Sequence, residues 1–429
     1  MAACVSAARP AGSCFSPLDD LLGLTTEGYS PQAIRRAIYA AGHDSFAQAS
    51  QTLKELAGLS ISPAHLQRLL TRVGTEWAGR RDQEVQAFRD KALPVGCESH
   101  APAASVMLDG GRLQVRDDAS ADDAPAGNDS HWREFKAASL ETWHSRVRAE
   151  DPQPSPPSRL RDQDQVSRLA AELKAKRSGA AGPSNQRRPR PRRRKAKNSA
   201  RPRKLVRAVL ASLAGSEAFG WQVAAEVQRR GLDRAASKAC VCDGQKYNWS
   251  IWEMHLQPLG FVAVLDFVHL VVYLYAAAQA ASGRGTEAAW ALYQGWLHLA
   301  WAGEVAGLLR GMRREGERLG QPPAGSAEED PRRVLGEAVG YVENNRKRMD
   351  YPRYRRLGLP TSSATVESTI KRLNRRVKGT EKFWKEGGGE AVLQVRAAYL
   401  SEDGRVNRYW AQPRPRGRAV GSGRLRPRS

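Results

Sequence analysis

Cysteine is scarce in this 429-residue chain: there are five, Cys4, Cys14, Cys97, Cys240 and Cys242, and they show no framework spacing. A disulfide-stapled secreted domain is thereby excluded, and a reducing cytoplasm is the natural compartment. Cys240 and Cys242 stand one residue apart without a second pair or nearby histidines, so they read as strand residues rather than metal ligands. Long apolar runs are missing too. The opening residues lack a basic stretch followed by an apolar one, which argues against a secretion signal. The single membrane candidate, residues 260–281, carries Asp266 and His269 near its middle, where an isolated charge in lipid is expensive. A soluble strand followed by a buried helix is expected there. No P-loop, GxSxG or dinucleotide fingerprint occurs, so an ATPase or serine hydrolase has no support.

Acids are few beside bases, 45 against 68, which leaves a formal charge of +23. The surplus is uneven. Residues 177–204 hold twelve Arg or Lys and no acid, and residues 405–429 hold eight more, so twenty of the 23 charges lie in two segments. A polyanionic partner is implied, while the rest of the chain is near neutral, as in an ordinary folded enzyme.

Residues 1–95 are predicted to be a helical domain. Phe46, Ala49, Leu53 and Leu56 recur at helical spacing, Gly58 ends that segment, and Ser62 caps a new helix with Pro63 at its first position. Leu66, Leu69, Leu70, Val73 and Trp77 form one apolar face. Two helices about a tight turn resemble a helix-turn-helix, which would set Gln67, Arg68 and Arg72 against DNA. Residues 100–146 change to alternation: Val106 and Leu108 before Asp109, a bend at Gly110 and Gly111, Leu113 and Val115 after it, then a third strand over 132–143. An acidic loop, 117–129, lies between. Residues 147–204 read as a basic, Arg/Pro-rich linker with a short helical stretch over 166–173, solvated and able to bind phosphates nonspecifically.

Residues 205–275 read as a helix over 205–230, a strand over 238–242, and a near-continuous apolar run, 261–265, that marks a strand buried on both faces. Residues 276–360 are predicted helical, with Trp290, Leu292, Trp296, Leu299 and Trp301 as a small core. Residues 361–404 hold two helices, and 405–429 form a basic tail. The order of elements predicts an α/β fold with a ribonuclease-H-like mixed sheet and an all-helical insertion.

Cutting or exchanging a phosphodiester takes two divalent cations about 3.5–4 Å apart, so several carboxylates must converge on one point. Asp109 and Asp243 each end a strand, and Glu367 lies in the first turn of the helix in SSATVESTIKRLNRRVKG. Taken singly, Asp-Gly is a turn signal, and Glu367 can be a helix N-terminal acid paired with Lys371. Asp266 follows the buried strand and His269 comes three residues later. With Asp266 as helix cap the two can touch, either as a buried satisfied pair or facing a site. Beside Glu367 the helix bears Lys371, Arg372, Arg375, Arg376 and Lys378, suited to a phosphate strand, over a buried stripe of Val366, Ile370, Leu373 and Val377.

The succession of Asp-Gly after a strand, a second Asp-Gly followed by the aromatic stretch YNWSIW, an Asp-x-x-His after an apolar strand, and a Glu in VESTIKRLNRRVKG resembles the Mutator-type DDE transposases, in particular the bacterial ISKra-type insertion-sequence enzymes. The block 375–405, with Arg376, Lys378, Gly379 and Trp384, resembles them as well. The resemblance covers roughly residues 105–405. It implies a transposase that binds terminal inverted repeats and performs hydrolysis and strand transfer with Mg2+, for which Mn2+ substitutes. Asp109, Asp243 and Glu367 would be the metal ligands, Asp266 and His269 would support the site, and Asp266 is the rival second carboxylate. The implied partners are double-stranded transposon ends and target DNA, with a homo-oligomer assembled on DNA, no membrane, and a nucleoid-associated cytoplasmic location. A ribonuclease-H-like nuclease without strand transfer, or an inactive DNA-binding relative, fits the same residues.

Overall fold

The computed structural model describes residues 29–96, 101–116, 131–178, 202–379 and 382–412. Cys4, Cys14, Cys97, the loop 117–129, most of the basic run 177–204 and the tail beyond 412 lie outside the described residues. The protein is a mixed α/β chain with parallel and antiparallel strand pairs and many helices. Its helices and strands run α1 (Pro31–His43), α2 (Phe46–Ala57), α3 (Pro63–Arg89), β1 (Ala103–Val115), β2 (Trp132–His144), α4 (Gln163–Ser178), β3 (Arg203–Ser212), α5 (Ser216–Arg229), β4 (Ser237–Cys242) and α6 (Lys246–Ile251). They continue with β5 (Val262–Leu265), α7 (Phe267–Ser282), α8 (Glu287–Trp301), α9 (Val305–Leu319), α10 (Pro331–Asn345), α11 (Tyr351–Arg356), α12 (Ala364–Val377), β6 (Phe383–Trp384), α13 (Glu386–Leu400) and α14 (Arg405–Ala411).

The chain divides into two compact units. One comprises Met1–Arg80, Leu113–Trp132 and Leu373–Ser429. Its helices start where the sequence supplies oxygens for unpaired N–H groups: Ser30 accepts from Ala33, Ser45 from Gln48, and Ser62 from His65 just before Pro63. Gly58 closes α2 in the left-handed region at φ 63°, where a side chain would be strained. In this unit β6 runs parallel to Gln114 and Val115, and Gly74 touches α13 so closely that a Cβ would lie 2.4 Å from the Ala391 carbonyl oxygen. The expected tail begins with a turn of structure, since Tyr409 of α14 is buried and stacks on Trp77 at 4.9 Å.

The other unit, Arg81–Arg112 and Arg133–Arg372, holds the sheet, in the order β3-β2-β1-β4-β5. β2 and β3 are antiparallel, whereas β1, β4 and β5 are parallel. Val106, Met107, Val241, Val264 and Leu265 are fully buried, as parallel strands covered on both faces must be. Helices α7 to α10 pack beside the sheet, with Tyr293, Trp296 and Trp301 in their core.

Three expectations change. Gly110 and Gly111 do not turn the chain, because β1 passes straight through them; a Cβ on Gly111 would sit 2.3 Å from the Phe135 ring, so the glycine serves a cross-strand aromatic. The predicted helix over 205–230 is instead β3 followed by α5, since Leu205, Val209 and Leu213 satisfy a period of two as well as four. The predicted linker contains a folded portion. Leu160 and Val166 are buried, Tyr293 Oη donates to the Leu160 carbonyl (2.8 Å), and Ser167 Oγ meets Tyr275 Oη (2.7 Å).

Candidate active site

Register brings the strand-borne acids to one level. Met107 pairs with Val241 and Cys242 with Leu265, all in parallel strands. Continuing both ladders sets Asp109, inside β1, opposite Asp243, and Asp243 opposite Asp266, the latter two just past the ends of β4 and β5, on strands roughly 4.8 Å apart. Gly244, at φ 98°, turns the chain away from β4 so that the Asp243 carboxylate can cap the approach to α6: its Oδ1 accepts from Gln245 N (3.2 Å) and Asn248 Nδ2 (3.1 Å). Asp109 Oδ1 accepts from the next backbone amide, Gly110 N (2.8 Å).

Asp266 ends β5 and caps α7, accepting from Val268 N at 2.7 Å, as the sequence spacing predicts. Its other oxygen accepts from His269 Nδ1 (3.1 Å), Ser363 N (3.1 Å) and the Ser363 hydroxyl. The carboxylate is wholly buried and accepts hydrogen bonds at both oxygens. Although burial opposes its charge, the hydrogen bonds and the imidazolium hold it below the usual carboxylate range. His269 Nδ1 also lies 3.6 Å from Glu367 Oε1. Burial disfavours a charged ring, but the Asp266 bond and the charges of Asp266, Glu367 and Asp243 outweigh it and raise the imidazole to about 9.

Two clusters result. Asp266, His269 and Glu367 offer ligand atoms within 4.8 Å of one another, the one such metal-sized group among the described residues. Asp266 accepts four hydrogen bonds, two of them from Ser363, so the same trio also forms a clamp that aims Glu367. Asp109 and Asp243 form the second cluster about the Tyr247 hydroxyl, which burial and the charges of Asp109, Asp243 and Glu134 hold in its protonated form. Of the predicted triad of Asp109, Asp243 and Glu367, Asp243 stands between the two clusters, its charge reaching both Tyr247 and His269, and the oxygens of the three do not all lie within 4.8 Å of one another.

The basic face of α12 is mostly as expected. Lys371, Arg372, Arg375 and Lys378 are exposed, and Val366, Ile370, Leu373 and Val377 are buried. Arg376 differs. It is only 2% exposed, donates from Nε to the Ala41 carbonyl (2.8 Å) and lies over the Phe46 and Trp384 rings at 4.7 and 4.9 Å. Its register on α12, seven residues from Thr369 on the inward side, turns it to the core rather than to a nucleic acid. Gln67, Arg68 and Arg72 are exposed on α3, which at 27 residues is long for a recognition helix. Cys240 and Cys242 are buried free thiols in β4, as strand residues.

Glu134 carries no site signal of its own in the sequence, Ser363 reads there only as a possible helix cap, and Tyr247 and Asn248 only as part of an aromatic stretch. The Gly110-Gly111 pair was the available signal for the first, because adjacent glycines inside a strand mark close approach as readily as a turn. Among the described residues no helix is long and apolar enough to cross a membrane. No protein-family model and no curated protein matches the chain.

Proposed function

We propose that the protein is a metal-dependent DNA transposase of the DDE type, built on a ribonuclease-H-like core with an N-terminal helix-turn-helix-like domain. The observation that carries the reading is the in-register parallel run of β1, β4 and β5, whose continuation sets Asp109, Asp243 and Asp266 at one level, with His269 beside both Asp266 and Glu367. The strand order β3-β2-β1-β4-β5, with β2 and β3 antiparallel and β1, β4 and β5 parallel, is a mixed sheet compatible with such a core.

The donor set fits a hard divalent cation, because Asp109, Asp243 and Glu367 offer carboxylate oxygens and no thiolate. Mg2+ or Mn2+ held there would supply charge stabilisation at the attacking and leaving oxygens of a phosphodiester. Asp109 and Asp243 would hold the ion from the sheet and Glu367 from α12. His269, fixed by Asp266 and Ser363, orients the Glu367 carboxylate. Lys371, Arg372, Arg375 and Lys378 offer phosphate contacts that position DNA without reading its sequence.

The test is end cleavage on the repeats flanking the gene in Mg2+, comparing the wild type with Asp109→Ala, Asp243→Ala, Asp266→Ala and Glu367→Ala. Loss of cleavage in the Asp109, Asp243 and Glu367 variants is expected, and full cleavage by the Asp243 variant overturns the assignment. Joining of the cut ends to a target plasmid separates a transposase from a nuclease that only cuts.

A further inference from the structure

Tyr247 lies where α6 begins, four residues after Asp243, and its hydroxyl is buried with no hydrogen-bond partner among the described residues. Such orphaned groups are rare in folded proteins. Carboxylates surround it, and several of their oxygens already hold other donors. Asp109 Oδ1 takes the Gly110 amide, and Asp243 Oδ1 takes Gln245 and Asn248. Glu134 pairs with Lys136 (3.5 Å), whose ammonium lies 5.1 Å from the centre of the Tyr247 ring. The missing side chain at position 110 lets these groups approach: a Cβ there would lie 2.8 Å from Glu134 Oε1 and 3.0 Å from Tyr247 Oη.

We infer that the Tyr247 hydroxyl donates a hydrogen bond to a non-bridging phosphate oxygen of the strand being cut, with the Lys136 ammonium over its ring. Tyr247 is a positioning residue of the site, and the inference rests on reading Asp109 and Asp243 as a phosphodiester-cutting centre. A phenol carries its proton at neutral pH and so has one to donate. A phosphate oxygen would supply the acceptor that this hydroxyl lacks among the described residues.

The experiment uses the full chain, Mn2+ alone as the metal probe and a supercoiled plasmid as the phosphodiester probe. Tyr247→Phe removes one oxygen and keeps the ring. Its Mn2+ affinity by calorimetry is expected within about twofold of wild type, while single-turnover nicking at saturating Mn2+ falls about 10- to 100-fold, the range for one hydrogen bond to a charged acceptor. Gly110→Ala, which fills the same corner, is expected to lower nicking with Tyr247 in place. Unchanged nicking by Tyr247→Phe overturns the inference. So does a loss of Mn2+ affinity matching the loss of nicking, because the hydroxyl would then serve the ion's own water. Asp109→Asn separates the two levels: if it too nicks like wild type, or if wild type neither binds Mn2+ nor nicks, the site reading fails and this inference with it. If only Tyr247→Phe is silent, the site reading stands alone.

Discussion

Replacing Asp266 by asparagine keeps the side chain's size and removes its charge, which separates the two roles its place beside His269 and Glu367 allows. As the carboxylate stands, one oxygen accepts from Val268 N and the other from His269, Ser363 N and the Ser363 hydroxyl. An amide nitrogen at either position faces a backbone N–H, so one buried donor loses its acceptor whichever way the amide turns. The imidazolium also loses its buried counter-ion. Breaking one side of a buried pair costs about 3–5 kcal/mol. With a urea slope of about 3 kcal/mol per molar, the midpoint should fall by about 1–1.7 M. Mn2+ binding should weaken about 10- to 100-fold, as for a group that orients a ligand from behind. An unchanged midpoint together with abolished Mn2+ binding refutes the clamp and makes Asp266 a direct ligand.

Arg376→Ala should destabilise the protein by about 2–4 kcal/mol in urea, through the lost hydrogen bond and two cation–aromatic contacts. Arg375→Ala should leave stability alone and lower the salt slope of DNA binding by about 1, and the reverse pattern refutes the assignment of inward and outward arginines. Gly111→Ala should cost about 1–3 kcal/mol, because its Cβ would meet the Phe135 ring at 2.3 Å; a melting temperature equal to wild type counts against that packing. In metal-free protein His269 should titrate near 9 by NMR. A raised folded-state value means its stabilisation is fully present below about 6.5 and is lost as pH rises through 9; a ring titrating near 6.5 contradicts the pairing.

The parts of the site set by local rules were legible in the sequence. Asp266 caps α7 and touches His269 because a cap and a first-turn residue share one side, and Glu367 falls in the first turn of α12. The parts set by pairing between distant segments were not. Gly110 and Gly111 carry the same local signal whether the chain turns or an aromatic from β2 lies against them. Val209 fits a helix with Leu205 and Leu213 until β2 is there to pair with it, through Ser139. Arg376 sits among exposed cations in sequence, and only the rings of Phe46 and Trp384, from opposite ends of the chain, make its burial tolerable.

The edge of the sheet ties stability to the site. β5 ends the strand order, so its outward carbonyls face no further strand. Phe261, Ala263 and Leu265, at alternate positions, each give their carbonyl to a buried aromatic donor: Trp252 Nε1 (2.7 Å), Tyr354 Oη (3.1 Å) and Tyr351 Oη (3.1 Å). The last of these carbonyls immediately precedes Asp266. Tyr351→Phe leaves the Leu265 carbonyl buried and unmet, at a cost of about 1–3 kcal/mol. Because that loss falls on the residue next to the cap, it should also speed amide exchange at Val268 and Ser363, the two backbone donors Asp266 holds. Tyr354→Phe, one step back along the edge, should cost a similar amount with less effect on those two amides. Equal exchange at Val268 and Ser363 in both variants and wild type, with stability lowered, would show that the edge and the Asp266 clamp are independent, and that the helices after β5 stabilise the sheet without steadying its acids.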